Sequence, residues 1–253
     1  MGRTRSRFAV WIAVLILTIT TIAAGAQSTT TLDRISFTGS IGQDRVGMVL
    51  DVDTAGKVIG GHLFYAKDLK DIPLKAGTQG TGILLYEPEG GQFALRLKGN
   101  GSEAGKPLDF NNSVGLEGRW MKGASSYPVK LAMQSSQQIA SSNARWYEDV
   151  TTESDANFEA KVQDFYNAVL NGDKTSAAKF VDFPLRVNHN GKSRQITSAA
   201  ELSAQWDQIF TSACIDAFRK AMPHDMFVRN GMAMLGDGVA WIGAKGVQSI
   251  NVP

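Results

Sequence analysis

The stretch FEAKVQDFYNAVLNGDKTSAAKFVDFPLRV, residues 158–187, decides the fold of the second half of the chain. Its first part has a helical period, because six apolar side chains fall at offsets 0, 4, 7, 8, 11 and 12. Ser154 or Asp155 can cap the start of this helix, and Gly172 suits the left-handed turn that ends many helices. The sequence therefore predicts a long amphipathic helix with one buried face. The residues of that face are Phe158, Val162, Phe165, Tyr166, Val169 and Leu170.

The end of the same stretch predicts a second helix and the first strand of a sheet. Asp173 can cap a short helix over residues 174–181. Pro184 is unfavourable inside a helix, so we expect residues 183–188 to form a strand.

The residues that follow predict an α+β domain. Asn190-Gly191 is a strong hairpin turn, and Ser198 with Glu201 forms a capping box at the start of a further helix. An order of helices, hairpin, helices and then strands is typical of α+β folds. The remaining elements are expected as a strand over residues 192–196, helices over 198–210 and 213–222, and strands over 226–235, 239–243 and 247–252, with turns at Asn230-Gly231 and Asp237-Gly238.

Three stretches of this region resemble the nuclear transport factor 2-like superfamily. They are FYNAVLNGDKTSAAKFVDFPLRV at 165–187, ITSAAELSAQWDQIF at 196–210 and FVRNGMAMLGDGVAWI at 227–242. The resemblance covers about residues 158–252 and implies a cone, in which a curved sheet wraps over helices. It also implies a cavity between sheet and helices, which binds small molecules in some members. We assign residues 154–253 to this domain.

The first 26 residues have the pattern of a secretory signal peptide. Three arginines precede an apolar run, and Ala24-Gly25-Ala26 is a suitable cleavage site. The alternative is an uncleaved membrane anchor, but the run is shorter than the ~20 residues that a membrane span needs. We therefore expect an exported protein, periplasmic or extracellular, without a stable membrane span after cleavage.

Residues 33–133 predict an all-β domain. This region holds 17 glycines, against 7 in the 120 residues that follow it. Eight short segments rich in β-branched and aromatic residues alternate with turn residues, and no helical period interrupts them. Such a series predicts an antiparallel barrel or a curled meander. Residues 134–153, which are rich in Ser, Gln and Asn, predict a linker.

Part of the all-β region resembles a small module of bacterial envelope proteins. The resemblance lies in FTGSIGQDRVGMVLDV, residues 37–52, and in GKVIGGHLFYAKDLKDIPLKAG, residues 56–77. Strand alternation places His62 and Phe64 on one face and Leu63 and Tyr65 on the other. A barrel of eight strands leaves just enough room for side chains, which favours a filled interior.

Charge and cysteine content exclude some classes of function. Removal of the signal peptide changes the formal charge from +2 to −1, and no basic block is present, so nucleic-acid binding is not expected. The single cysteine, Cys214, has no basic neighbour and is expected to be a buried thiol. The three histidines are widely separated and show no metal-binding spacing.

The candidate ligand-binding residues lie in the second half of the chain. A histidine beside a carboxylate can act as an acid–base pair, which draws attention to His224-Asp225, His189 and Asp237. Adjacent polar residues after Pro223 usually cap or turn, however, and His189 precedes a hairpin turn, where we expect it to be solvated. We predict no catalytic set, no metal site and no cofactor. The five candidate residues are Arg186, Trp206, Asp207, His224 and Trp241.

Three hypotheses about function follow. The first is an exported envelope protein that binds a small molecule or an envelope protein without catalysing a reaction. The second is an enzyme, an isomerase, dehydratase or hydrolase, with its site in the cone cavity. The third is a structural or self-assembling protein, and a homo-oligomer is compatible with each of the three.

Overall fold

The computed structural model describes residues 31–77, 82–102 and 105–253, which form two domains. The first is a closed barrel of eight strands, and the second is a six-stranded sheet with helices. Each domain has its own hydrophobic core, and no residue belongs to both. The predicted signal peptide, residues 1–26, lies outside the described residues.

All eight predicted strands of the barrel are confirmed. Neighbouring strands pair antiparallel throughout, and the first strand closes the barrel by pairing with the last. The strands are β1 (Leu32–Ile41), β2 (Asp44–Val52), β3 (Val58–Tyr65), β4 (Ile72–Ala76), β5 (Ile83–Tyr86), β6 (Gln92–Lys98), β7 (Gly115–Lys122) and β8 (Ser125–Ile139).

Apolar side chains fill the inside of the barrel. Leu63, Leu85, Phe93 and Leu116 are completely buried there. The alternation of β3 therefore turns His62 and Phe64 outwards, towards the second domain. This orientation prepares the site described below.

The last barrel strand is longer than the sequence indicated. β8 continues to Ile139, and its additional residues pair with the start of β1. Residues 134–138 are polar on both faces and carry no hydrophobic alternation, which is why the sequence predicts a linker there. A hydrogen bond of 2.6 Å between the hydroxyls of Ser36 and Ser135 joins the two strands there.

The second domain begins with the predicted long helix. Ser154 caps it by accepting from the backbone N–H of Asn157 at 3.3 Å, and Gly172 adopts φ +68° just after its end. Asp173 caps the second helix as expected. The helices are α1 (Asp155–Leu170), α2 (Lys174–Ala178), α3 (Ala199–Ala204), α4 (Trp206–Ile209) and α5 (Ser212–Lys220).

The sheet of the second domain has six strands, one more than predicted. The predicted turn at Asn230-Gly231 is confirmed, with φ of +53° and +72°, and it divides the segment 226–235 into two paired strands. The spatial order is β10-β9-β14-β13-β12-β11, and only the β9–β14 pair is parallel. The strands are β9 (Val181–His189), β10 (Lys192–Ile196), β11 (Phe227–Arg229), β12 (Met232–Leu235), β13 (Ala240–Gly243) and β14 (Gly246–Val252).

Aromatic side chains pack the space between the helices and this sheet. Phe165 and Phe218 are almost fully buried, and their ring centroids lie 6.0 Å apart. Trp206 packs against Phe210 at 4.1 Å. Cys214 is completely buried in the same core, as predicted.

Several contacts join the two domains. Arg45 of β2 donates hydrogen bonds to the backbone oxygens of Arg219, at 3.1 Å, and Lys220 at the end of α5. Gln137 of β8 donates to the backbone oxygen of Val228 at 3.1 Å. Within the described part of the chain, no helix is both long enough and apolar enough to cross a bilayer.

Candidate functional site

A group of histidines and carboxylates lies where the two domains meet. The barrel supplies His62 from β3 and Asp71 from the residue before β4, and the second domain supplies Glu159 from α1. His224 and Asp225 come from the connection between α5 and β11. These five residues are called the interdomain cluster below.

The polar atoms of the cluster are in direct contact. His62 Nε2 lies 2.5 Å from Asp225 Oδ2 and 3.5 Å from Asp71 Oδ1. His224 Nε2 lies 2.9 Å from the same Asp71 oxygen and 3.8 Å from Asp225 Oδ2. Each histidine is therefore shared between carboxylates that belong to different domains.

Glu159 organises the buried side of the cluster. Its carboxylate accepts from His224 Nδ1 at 2.5 Å, from the backbone N–H of Asp225 at 2.9 Å and from the Tyr147 hydroxyl at 2.6 Å. The Tyr147 oxygen in turn accepts from the backbone N–H of Met226 at 3.0 Å. Glu159 is only 8% exposed, so these bonds replace its hydration.

The local backbone is shaped to present these side chains. Asp225 has φ +47°, in the left-handed region that aspartate tolerates better than most residues. Its bond to Glu159 holds it there, and such conformations concentrate at functional sites. On the barrel side, the Phe64 ring packs edge-on against His224, with centroids 4.5 Å apart.

The cluster shifts the pKa values of its members. Burial alone would lower the pKa of His224, but its hydrogen bonds with Asp71 and Glu159 outweigh burial and raise it to about 10. Burial alone would also lower the pKa of His62, but its hydrogen bond with Asp225 and the charge of that carboxylate outweigh burial, so the pKa is raised. For Asp71, the hydrogen bond with His224 overcomes burial and lowers the pKa. Without a bound cation, His224 is therefore protonated at neutral pH.

The neighbouring Tyr147 is not suited to act as an acid, because its pKa is raised. Complete burial, together with the charges of Glu159 and Asp225, raises the pKa of its hydroxyl well above the usual value of 10.0. The hydroxyl therefore keeps its proton and acts as a fixed donor to Glu159.

The cluster forms one wall of a cleft of about 530 Å³ between the domains. Five carboxylates line this cleft, and Arg34 is the one guanidinium that the described part of the chain contributes to it. Arg34 is fully engaged, because it pairs with Asp51 at 3.3 Å and donates to the backbone oxygens of Ser142 at 2.8 Å and Ala144 at 3.1 Å. It also lies over the Trp146 ring at 5.3 Å. The carboxylates that line the cleft are Asp51, Asp71, Asp155, Glu159 and Asp225.

A second cavity, of about 250 Å³, lies on the other side of His224 and Asp225. Methionine and phenylalanine side chains line much of it. The methionines concerned are Met48, Met222, Met226 and Met234.

Of the five candidate residues named from the sequence, the structure places only His224 in the cleft. Trp206 is part of the core of the second domain, with Lys174 over its ring at 6.0 Å. Arg186 and Asp207 are exposed, on β9 and α4, and Trp241 is half-buried on β13. These four residues are therefore not brought together with His224 in this cleft.

His189, which also drew attention in the sequence, lies at the end of β9, away from the cleft. Its Nδ1 is 3.2 Å from the backbone oxygen of Val252. Asp237 is exposed and lines the second cavity instead.

Two groups of three side chains in the cluster are spaced to hold a metal ion. They are His62 with Asp71 and Asp225, and Glu159 with His224 and Asp225, and within each group the ligand atoms lie within 4.8 Å of one another. No spacing in the sequence points to them, because their members come from distant parts of the chain. The signals in the sequence were the adjacent His224-Asp225 and the position of His62 on the strand face opposite Leu63.

Comparison of the chain with protein-family models, curated proteins and solved structures finds no significant match.

Proposed function

We propose that the protein is an exported envelope protein that binds a small cationic ligand in the cleft between its two domains and does not catalyse a reaction. One observation carries this proposal: five carboxylates line the cleft, whereas its positive groups among the described residues are Arg34, which pairs with Asp51, and the imidazoles of His62 and His224. Carboxylates that line a confined cleft attract cations, because low-dielectric walls focus their field. The size of the cleft, about 530 Å³, is within the usual range for small-molecule sites.

The arrangement favours binding over acid–base catalysis. A general base needs a free lone pair in reach of the substrate. Both ring nitrogens of His224 instead face carboxylates, at 2.5 and 2.9 Å. Nε2 of His62 is held by Asp225 at 2.5 Å. These imidazoles serve as fixed members of a charge network.

Two further parts of the proposal concern fold family and location. We propose that the second domain is a nuclear transport factor 2-like cone, supported by its opening helix, its hairpin and the strands that pack over the helices. The basic start and apolar run of residues 1–26 support export.

Thermal denaturation of the purified protein tests cation binding. The probes are zinc, calcium, putrescine and spermidine, with citrate as the anionic comparison. A ligand at 100 times its Kd stabilises the folded state by about 2.7 kcal/mol, which for a chain of this size raises Tm by about 5–10 °C. We expect at least one cation to do so, and citrate to have no effect.

A pair of charge-neutralising variants locates the effect. Asp71→Asn removes a carboxylate from the cleft, whereas Asp68→Asn removes an exposed one three residues away, outside the cleft. We expect Asp71→Asn to reduce the cation-induced shift and Asp68→Asn to leave it unchanged. If none of the cations raises Tm, or if the two variants respond alike, the proposed function is wrong.

A further inference from the structure

We propose that the cation bound in the cleft is a single divalent transition-metal ion, coordinated by His62 Nε2, Asp71 Oδ1, His224 Nε2 and Asp225 Oδ2. This inference rests on the proposed function of cation binding and makes it specific.

The ligand atoms select the class of ion. Two imidazole nitrogens and two carboxylate oxygens suit zinc and its first-row neighbours, whereas calcium and magnesium prefer oxygen ligands alone. Zinc is bound by these same atom types at about 2.0–2.2 Å, which separates two ligands of a tetrahedral ion by about 3.3 Å.

Two of the four nitrogen–oxygen separations are close to this value, and the other two are shorter because they are hydrogen bonds. The four nitrogen–oxygen separations among the proposed ligands are 2.5, 2.9, 3.5 and 3.8 Å. The shortest, between His62 and Asp225, is a hydrogen bond, so we expect these two groups to move apart by several tenths of an ångström when an ion replaces the proton between them.

The surroundings of His224 match those of a metal ligand. A histidine that binds a metal through one ring nitrogen usually donates the other N–H to a carboxylate, which fixes the ring. His224 Nδ1 is bonded in this way to Glu159 at 2.5 Å. Glu159 is held in turn by the Tyr147 hydroxyl and the Asp225 N–H, so its position is determined before an ion arrives.

The proposed ligands are the group of His62, Asp71 and Asp225, extended by His224, whose Nε2 lies 2.9 Å from Asp71 Oδ1 and 3.8 Å from Asp225 Oδ2; the group that contains Glu159 is set aside. The oxygens of Glu159 are already occupied and its side chain is 8% exposed. Asp71 is 53% exposed and opens the other group to the cleft, which gives an ion a path in. We therefore assign Glu159 the role of a positioning residue and Asp71 that of a ligand.

The charge of the site gives a further reason. Asp71, Glu159 and Asp225 place three carboxylates within a few ångströms, and a protonated His224 compensates only one of their charges, so further positive charge would stabilise the group. A divalent ion supplies this charge at one point that all three carboxylates reach directly or through a histidine.

Isothermal titration of the purified protein with zinc, after removal of bound metals with a chelator, tests the inference. We expect one equivalent to bind. His62→Gln and Asp71→Asn each remove one ligand, and we expect each to raise Kd at least tenfold, while Glu159→Gln raises it about 10–100-fold by freeing the His224 ring. Magnesium at millimolar concentration is not expected to compete.

The chain offers a matched control for each ligand variant. His189→Gln removes the one histidine outside the cluster, and Asp68→Asn removes a nearby exposed carboxylate. Both should bind zinc as the unchanged protein does. Circular dichroism shows whether each variant is folded, and the visible absorbance of bound cobalt(II) shows whether histidine ligands are lost.

The outcomes separate this inference from the proposed function. If zinc does not bind, but putrescine or spermidine binds and Asp71→Asn weakens it, the metal assignment is refuted and cation binding stands. If zinc binds to His62→Gln as tightly as to His189→Gln, the proposed ligand set is wrong. If neither zinc nor any other cation binds, both proposals fail.

Discussion

Replacing Glu159 with glutamine removes the charge on which the buried side of the interdomain cluster depends. The carboxylate accepts three hydrogen bonds, from His224, Tyr147 and the Asp225 N–H. Glutamine keeps one acceptor oxygen but turns an NH₂ group towards one of these donors. Bonds to a charged acceptor contribute about 1 kcal/mol more than neutral ones, and a buried donor left without a partner costs about 1–3 kcal/mol.

The expected loss of stability is therefore about 3 kcal/mol, close to the 3–5 kcal/mol typical of a broken buried ion pair. Urea unfolding, followed by tryptophan fluorescence in the presence of a chelator, measures the free energy of unfolding, and Tm should fall by about 6–12 °C. Glu148→Gln is the matched control, because Glu148 is exposed, and it should change stability by less than about 0.5 kcal/mol. A Glu159→Gln variant within that same limit would refute the reasoning about the cluster.

Three further predictions concern other parts of the molecule. Burial raises the pKa of the Cys214 thiol to about 12, so iodoacetamide at pH 8 should modify it on the order of 100-fold more slowly in the folded protein than in guanidinium; equal rates would contradict its burial. Backbone and hydroxyl hydrogen bonds from Ser176 lower the pKa of Asp173. Its contribution to stability is therefore present above about pH 4 and is lost as pH falls through the lowered pKa. In urea titrations, Asp173→Asn should lose less stability than the unchanged protein between about pH 5 and about pH 2. A side chain added at Gly47 would lie 2.0 Å from the Phe64 ring, which packs on His224. Gly47→Ala should therefore lower the free energy of unfolding by about 1–3 kcal/mol and weaken cation binding. Gly82→Ala, where the nearest atom lies at 3.5 Å, should do neither.

Local patterns were sufficient to predict most of the secondary structure. The helix caps at Ser154, Asp173 and Ser198 were readable, because each depends on residues within a few positions. The barrel strands were readable from their alternation. The end of β8 was not, since its polar residues carry no such alternation.

The site could not be predicted from local patterns, because it is made by contacts across the chain. His224 is 65 residues from Glu159 and 153 from Asp71, and His62 is 163 from Asp225. The sequence showed His224-Asp225 as a pair and His62 on the strand face opposite Leu63, but nothing in it indicated that these two features meet. The four other candidates were chosen for their chemistry, and their positions depend on how the second domain packs.

The contact of Arg45 with α5 has a consequence for the ancestry of the molecule. The last carbonyls of a helix need donors, and a cation near this end also complements the helix dipole. For α5 these donors come from the barrel, through the bonds of Arg45 to Arg219 and Lys220. A recombination event that moved the second domain into another gene would leave these carbonyls to water, so a barrel that keeps this domain is expected to keep an arginine at position 45, whereas positions 219 and 220 contribute only backbone oxygens to the contact and can vary.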